Sequence, residues 1–187
     1  MNQPATVLGI AASLRKGSVN GLLLNALVER AAEGMTVTVH TGLHAIPLFS
    51  EDLEEDGGPE GAQRLRAAVA GAEGLLIVTP EYNQAIPGVT KNLVDWMSRG
   101  EPKVLARKPV AIAGATPGPW GTRLAQATLR HTLTACGALV MPMPQVYVRS
   151  APEMFDAQGR LQDARTDSSL RSFMHAFAGW IDTFRAR

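Results

Sequence analysis

The chain is short of cysteine, of net charge and of long apolar runs, and each shortage removes a class of protein. One cysteine in 187 residues, Cys136, excludes an internal disulfide and fits a reducing compartment. It falls on the apolar stripe of an expected helix and reads as a small buried hydrophobe, not as a nucleophile. The 18 basic residues against 17 acidic ones leave a formal charge of +1, which gives no electrostatic reason to expect nucleic acid or a membrane surface as partner. No run approaches the ~18 apolar residues of a membrane span, and the apolar stretch 5–12 lacks the basic residues that precede a secretory signal core. A soluble, cytoplasmic protein is expected. His40, His44, His131 and His175 are scattered without metal-ligand spacing, so no metal site is expected. Internal repeats and low-complexity segments are also missing.

What is present is an alternation of strand and helix, in a length that suits a single domain over residues 1–187 and buries roughly 70% of the unfolded chain's surface. The organising stretch is 74–99. Residues 74–78, Gly-Leu-Leu-Ile-Val, form an apolar run expected to be a central parallel strand buried on both faces. Pro80, Pro87 and Gly88 stop any regular element, so 79–88 reads as a rigid loop at the strand's carboxyl end. Val89, Leu93, Trp96 and Met97 then share a helical stripe, with Lys91, Asn92, Asp95 and Ser98 off it. Upstream come a first strand over 6–12, a helix over 20–33 carrying Leu24, Leu27, Val28 and Ala31 inward, an edge strand over 35–40, and a helix opening at Pro59. Downstream come a strand over 109–113, a glycine- and proline-rich loop over 114–121, and a helix from Thr122 ended by Gly137. A fifth strand over 139–148, kinked by Pro142 and Pro144, precedes a closing helix with Leu170, Phe173, Met174, Phe177, Ile181 and Phe184 on one face. This alternation predicts the α/β class, a parallel sheet covered on both faces.

In that class ligands bind at the carboxyl ends of the strands. The phosphate loop Gly-x-x-x-x-Gly-Lys-[Ser/Thr] is absent, and after the first strand the chain reads Gly9-Ile-Ala-Ala-Ser-Leu instead of Gly-x-Gly-x-x-Gly. What stands there is Ser13, Arg15, Ser18 and Asn20. Hydroxyls, an amide and a guanidinium at a helix N-terminus suit a phosphate monoester, which would also meet free backbone amides and the positive end of the helix dipole. Taken singly, Ser18 or Asn20 is better explained as a helix cap, and Arg15 with Lys16 as a solvated basic pair. All four at one loop favour phosphate. The second loop adds Glu81, Tyr82 and Asn83, a carboxylate, a phenol and an amide with no packing need for any of them.

The run Ala12-Ser-Leu-Arg-Lys-Gly-Ser-Val-Asn20, followed by Pro80-Glu-Tyr-Asn83, Ile86-Pro-Gly88, Lys91-Asn92 and Asp95-Trp96, resembles the NADPH-dependent FMN reductase family, in particular its chromate and quinone reductase branch. The resemblance extends over nearly the whole chain. It implies a flavodoxin-like, doubly wound five-stranded parallel sheet of order 2-1-3-4-5, with FMN at the switch point between the first and third strands. It carries the phosphate to Ser13, Arg15, Ser18 and Asn20, with Val19 in the same turn. It carries the isoalloxazine edge to Pro80, Glu81, Tyr82 and Asn83, mainly through backbone amides, and the other side of the ring system to Thr116 and Gly118. NADPH or NADH would be cosubstrate, a quinone, free flavin, azo compound or metal oxyanion such as chromate the acceptor, and the assembly a homodimer or homotetramer. Two departures stand out. Ala12 replaces a glycine common in the family, and Trp120 replaces a smaller residue and is expected to pack beneath its loop in preference to covering the flavin. A flavodoxin-type electron carrier is the alternative, but such carriers are strongly acidic and this chain is not.

Overall fold

The computed structural model describes residues 4–185; the first three and last two residues of the unit expected from the sequence lie outside them. The elements are β1 (Ala5–Ala11), α1 (Val19–Val28), β2 (Met35–Val39), α2 (Glu60–Gly71), β3 (Gly74–Val78), α3 (Gly88–Met97), β4 (Pro109–Ala115), α4 (Arg123–Ala135), β5 (Leu139–Val140), β6 (Val146–Val148) and α5 (Ala164–Arg185). The sheet runs β2-β1-β3-β4-β5, with β6 also on β4, and every pairing is parallel. This is the flavodoxin-like order expected from the resemblance.

All of β3 and all of β4 are buried, as two-sided cover requires. Alternate residues serve opposite cores. Leu75 and Ile77 join Leu65, Val69, Leu93, Trp96 and Leu129 beneath α2, α3 and α4. Leu76 and Val78 join Leu24, Leu27, Phe173 and Phe177 beneath α1 and α5. β2 pairs with β1 alone and is largely exposed, which makes it the edge strand the alternating pattern indicated.

Two elements differ from the sequence expectation. The helix expected to reach residue 33 ends at Val28, because Arg30 donates from Nη1 to the Ala26 carbonyl (2.8 Å) and from Nε to Asp167 on α5 (2.7 Å). A side chain thus takes over a carbonyl that another helical turn would have used. The expected fifth strand is two short pieces. β5 pairs with Pro109 and Val110, and β6 with residues 113–115. Pro142 and Pro144 lie between them and have no N–H to give to a ladder.

The far end of the sheet is tied by a carboxylate. Glu73 accepts from Arg185 Nε (2.6 Å) and Nη2 (2.8 Å) and from the Thr6 N–H (2.9 Å). Its hydrogen bonds to Arg185 hold its carboxyl below the usual carboxylate range. A depressed folded pKa gives stability that is present above the unfolded value near 4.3 and is lost as pH falls through the folded one. Glu73→Gln should therefore be less stable than the parent at pH 7 by about 1 kcal/mol or less, since the pair is partly solvated. Urea unfolding at a series of pH values should show the two proteins converging below about pH 3. A constant gap across that range would mean that the charge is not what stabilises.

Candidate functional site

The chain steps from β1 outward to β2 and then returns to the other side of β1 to place β3, so the sheet's switch point lies between β1 and β3. Their carboxyl ends are hydrogen-bonded neighbours: Ala11 pairs with Val78, and the Ala12 N–H donates to the Val78 carbonyl (2.8 Å). Loops 12–18 and 79–87 leave the sheet side by side from there. Ala12 is fully buried in the core, so the Cβ that departs from the family's glycine is accommodated.

The first loop offers backbone donors. Among the described residues the N–H groups of Leu14, Lys16, Gly17 and Val19 have no protein acceptor. Gly17 is left-handed at φ 65°, and turns of this kind bring successive N–H groups together on an anion. Arg15 and Lys16 are exposed beside them, and α1 begins at Val19, adding the positive end of its dipole. Ser13 Oγ accepts from the Arg15 N–H (3.4 Å). Ser18 is the N-cap, its hydroxyl accepting from the Asn20 N–H (3.2 Å), so the capping role is real; a hydroxyl hydrogen remains to donate.

Asn20 is placed differently from the other three. It is buried, and its amide faces the end of β4: Nδ2 donates to the Ala115 carbonyl and Oδ1 accepts from the Ala115 N–H, both at 2.9 Å. Only its second amide hydrogen is left for a ligand. Its main work is to tie the start of α1 to β4, across β3.

The second loop is anchored at both ends and free in the middle. Thr79 Oγ1 donates to the Pro80 carbonyl (2.9 Å), so its contact with Thr90 Oγ1 (3.0 Å) has Thr90 as donor. Tyr82 and Ala85 exchange backbone hydrogen bonds around Asn83 (φ 51°) and Gln84 (φ 63°), the two positive torsions of a type I′ turn. Tyr82 is 54% exposed at this tip. Among the described residues the N–H groups of Glu81 and Asn83 have no protein acceptor, whereas that of Tyr82 is spent on Ala85. The Glu81 carboxylate accepts from the Ala125 N–H (2.8 Å) and so caps α4, whose own N-cap residue, Thr122, makes no capping bond. The third loop is stapled to β6, with the Thr116 N–H on the Val148 carbonyl (3.0 Å), the Gly118 N–H on Thr116 Oγ1 (3.3 Å), and the Ser150 N–H on the Gly118 carbonyl (3.2 Å).

Two placements correct the sequence reading. Trp120 does not pack beneath its loop: it is 70% exposed, with the Arg123 guanidinium 5.6 Å over its ring. Asn92, set off the apolar stripe of α3, is buried and holds the segment 47–49. It accepts from the Phe49 N–H (2.8 Å) and donates to the Pro47 carbonyl (2.9 Å), which Trp96 Nε1 also reaches (2.8 Å). Arg99, at the end of α3, forms an ion pair with Glu54 (3.4 Å) and lies over Phe49, 4.6 Å from its centroid. Cys136 is half-buried, and burial pushes its thiol up, which keeps it protonated and unreactive.

A parallel sheet of this order, with unpaired amides gathered at its switch point and no fixed charge of the opposite sign in that turn, defines a flavodoxin-like protein suited to a phosphorylated ligand. Comparison with known proteins narrows the class. The NADPH-dependent FMN reductase family matches residues 5–153, and the chain belongs to it. An NAD(P)H-dependent FMN reductase of Pseudomonas aeruginosa is 37% identical over 185 residues, 99% of this chain and all of that one. A 2-hydroxy-1,4-benzoquinone reductase of a Burkholderia species is 37% identical over 92% of this chain and 93% of its own. Among solved structures, FerB of Paracoccus denitrificans, a flavoenzyme NAD(P)H:(acceptor) oxidoreductase, superposes with a TM-score of 0.87 at 34% identity, over 96% of this chain and 98% of that one. The protein is therefore an oxidoreductase of the FMN-dependent, NAD(P)H-using kind. No helix among the described residues is long and apolar enough to cross a membrane.

Proposed function

We propose that the chain acts as one FMN-binding unit that oxidises NAD(P)H and passes the electrons to small acceptors, with quinones first among them and free flavin, azo compounds and metal oxyanions such as chromate as further candidates. The observation that carries this reading is the cluster of unpaired N–H groups at Leu14, Lys16, Gly17 and Val19, set beside the second loop at the switch point. When bound, FMN supplies the hydride-accepting centre. The chain holds the phosphate with those amides, with the Ser13 and Ser18 hydroxyls and with Arg15. The free Glu81 and Asn83 N–H groups would serve the ring system as donors, and Pro80, Tyr82, Thr116 and Gly118 would complete its binding loops. Such donors stabilise negative charge without themselves transferring a proton. No side chain is assigned to proton transfer, since the Glu81 carboxylate is engaged at α4. Nicotinamide and acceptor would use one open face in turn, giving ping-pong kinetics. Assembly as a homodimer or homotetramer belongs to the same reading and is carried over from the resemblance.

The test is direct. Protein purified with FMN should oxidise NADPH in the presence of benzoquinone, and double-reciprocal plots at several quinone concentrations should be parallel. Intersecting lines would remove the alternating use of one face. A yellow protein that leaves both NADPH and NADH untouched would be an electron carrier instead. Arg15→Ala should raise the FMN dissociation constant about tenfold, equivalent to ~1.4 kcal/mol; an unchanged constant would take Arg15 out of the site.

A further inference from the structure

A second recess lies beyond the third loop, at the outer edge of β6. It is about 610 Å³, open to solvent, and its lining includes Trp120, Arg123, Arg149 and Arg165. We propose that this recess binds the adenosine end of NADPH through its 2′-phosphate, and thereby makes the protein prefer NADPH to NADH. The proposal rests on the reading of the chain as an NAD(P)H oxidoreductase and adds to it the residues that tell the two nucleotides apart.

Charge comes first. Among the described residues Arg123, Arg149 and Arg165 have no carboxylate within ion-pair distance, which is equally so of Arg15, Arg66, Arg107 and Arg130; what sets the three apart is that they line one recess. Guanidinium groups gathered in the lining of one recess give it a positive potential that attracts an anion. The one carboxylate in the lining, Asp163, accepts from the Thr166 N–H (2.7 Å), and hydrogen bonding to Thr166, with a smaller contribution from the charge of Arg165, holds its carboxyl below the usual carboxylate range, so it offsets part of the recess's positive charge. A phosphate monoester carries about two negative charges near pH 7, and the arginine fork matches its oxygens in pairs. NADH lacks that group.

Shape comes second. The Trp120 indole leaves 70% of its surface in water, with the Arg123 guanidinium over one side of the ring. A flat heterocycle stacked there would cover that surface and gain from the adjacent cation. Volume is sufficient, since pockets that enclose small ligands run from roughly 300 to 1,000 Å³.

Position comes third. The recess and the FMN loops open at the same end of the sheet. Thr116 and Gly118 share a loop with Trp120, and that loop is stapled to the end of β6, where Arg149 follows. From β3 across β4 to β6 is two strand spacings, about 10 Å, a span shorter than an extended dinucleotide. Arg99, the basic residue at the end of α3, is already paired with Glu54.

All three arginines are exposed, so their replacement should leave the fold intact. Adenosine 2′,5′-bisphosphate titrated calorimetrically into the full-length protein should bind at least tenfold more tightly than adenosine 5′-monophosphate. It should also quench the fluorescence of the parent and not that of Trp120→Phe. Arg149→Ala/Arg165→Ala should weaken the bisphosphate tenfold or more and raise KM for NADPH by a similar factor, with KM for NADH and kcat unchanged. Equal binding of the bisphosphate to parent and double variant, or an equal rise in both Michaelis constants, would overturn the site. A protein that oxidises NADPH yet shows no bisphosphate binding overturns the site alone. One that binds the bisphosphate through these arginines and oxidises neither nucleotide keeps the site and overturns the redox reading.

Discussion

Gly114→Ala should lower the melting temperature by roughly 6–12 °C and impair FMN binding more than any change to a side chain that faces the cofactor. A Cβ at residue 114 would fall on two atoms at once, the Thr122 hydroxyl and the Thr79 carbonyl oxygen, with Thr122 Cβ itself at 3.0 Å. Thr79 opens the loop after β3, and Thr122 closes the loop after β4. Both settle over the end of β4 only because residue 114 has no side chain. Overpacking costs 1–3 kcal/mol, and the upper end applies because one of the atoms in the way is backbone. For a chain of this length each kcal/mol is worth about 2–4 °C. Thr122→Ala tests the cause. It removes the hydroxyl and leaves the Thr79 carbonyl and the residue 122 Cβ in place, so in the Gly114→Ala background it should recover less than half of the loss. A melting temperature for Gly114→Ala within 2 °C of the parent would mean that the loops can part without cost, and the site would then owe nothing to this close approach.

The parts of the fold that were legible are those whose cause lies in neighbouring residues. Gly74-Leu-Leu-Ile-Val78 could only be a strand with two covered faces, and the structure buries all of it. The stripe of Val89, Leu93, Trp96 and Met97 gave α3, and the prolines and glycine before it gave the loop. Contacts between distant residues were not legible. Glu81 caps α4 at Ala125, 44 residues on. Asn92 fastens the backbone at Pro47 and Phe49, which nothing in the polar pattern of α3 hints at. Arg30 ends α1 early by reaching Asp167, 137 residues away. Period and propensity report which face of an element is apolar. They say nothing about which distant backbone group a buried amide or carboxylate will satisfy, and Trp120 shows the converse, an apolar side chain that the pattern would have packed and the structure leaves in water.

Asn20 is where the two kinds of information meet, and its replacement is the second large effect. Among Ser13, Arg15 and Ser18 it reads as one more phosphate donor, yet its amide pairs with both backbone groups of Ala115, a residue that is 1% exposed. In Asn20→Ala the Ala115 N–H and carbonyl lose their partners together. Each orphaned buried group costs about 1–3 kcal/mol, so a loss of roughly 2–6 kcal/mol is expected, or at least about 4 °C in melting temperature. A donor that merely touched phosphate would cost the FMN-free protein almost nothing, so the measurement belongs on that form. Asn20→Asp separates the two bonds. Its carboxylate still accepts from the Ala115 N–H but opposes the Ala115 carbonyl, whereas its protonated form can restore both. Burial and the facing carbonyl raise the folded pKa of such an aspartate above its unfolded value near 3.9. Relative to the parent, Asn20→Asp should then be least impaired below that value and lose stability as pH rises through the folded pKa. Chemical unfolding at pH 4.5 and pH 8 should show the larger deficit at pH 8. A deficit that does not depend on pH, together with a loss under 1 kcal/mol in Asn20→Ala, would mean that the tie between α1 and β4 is not made through this amide.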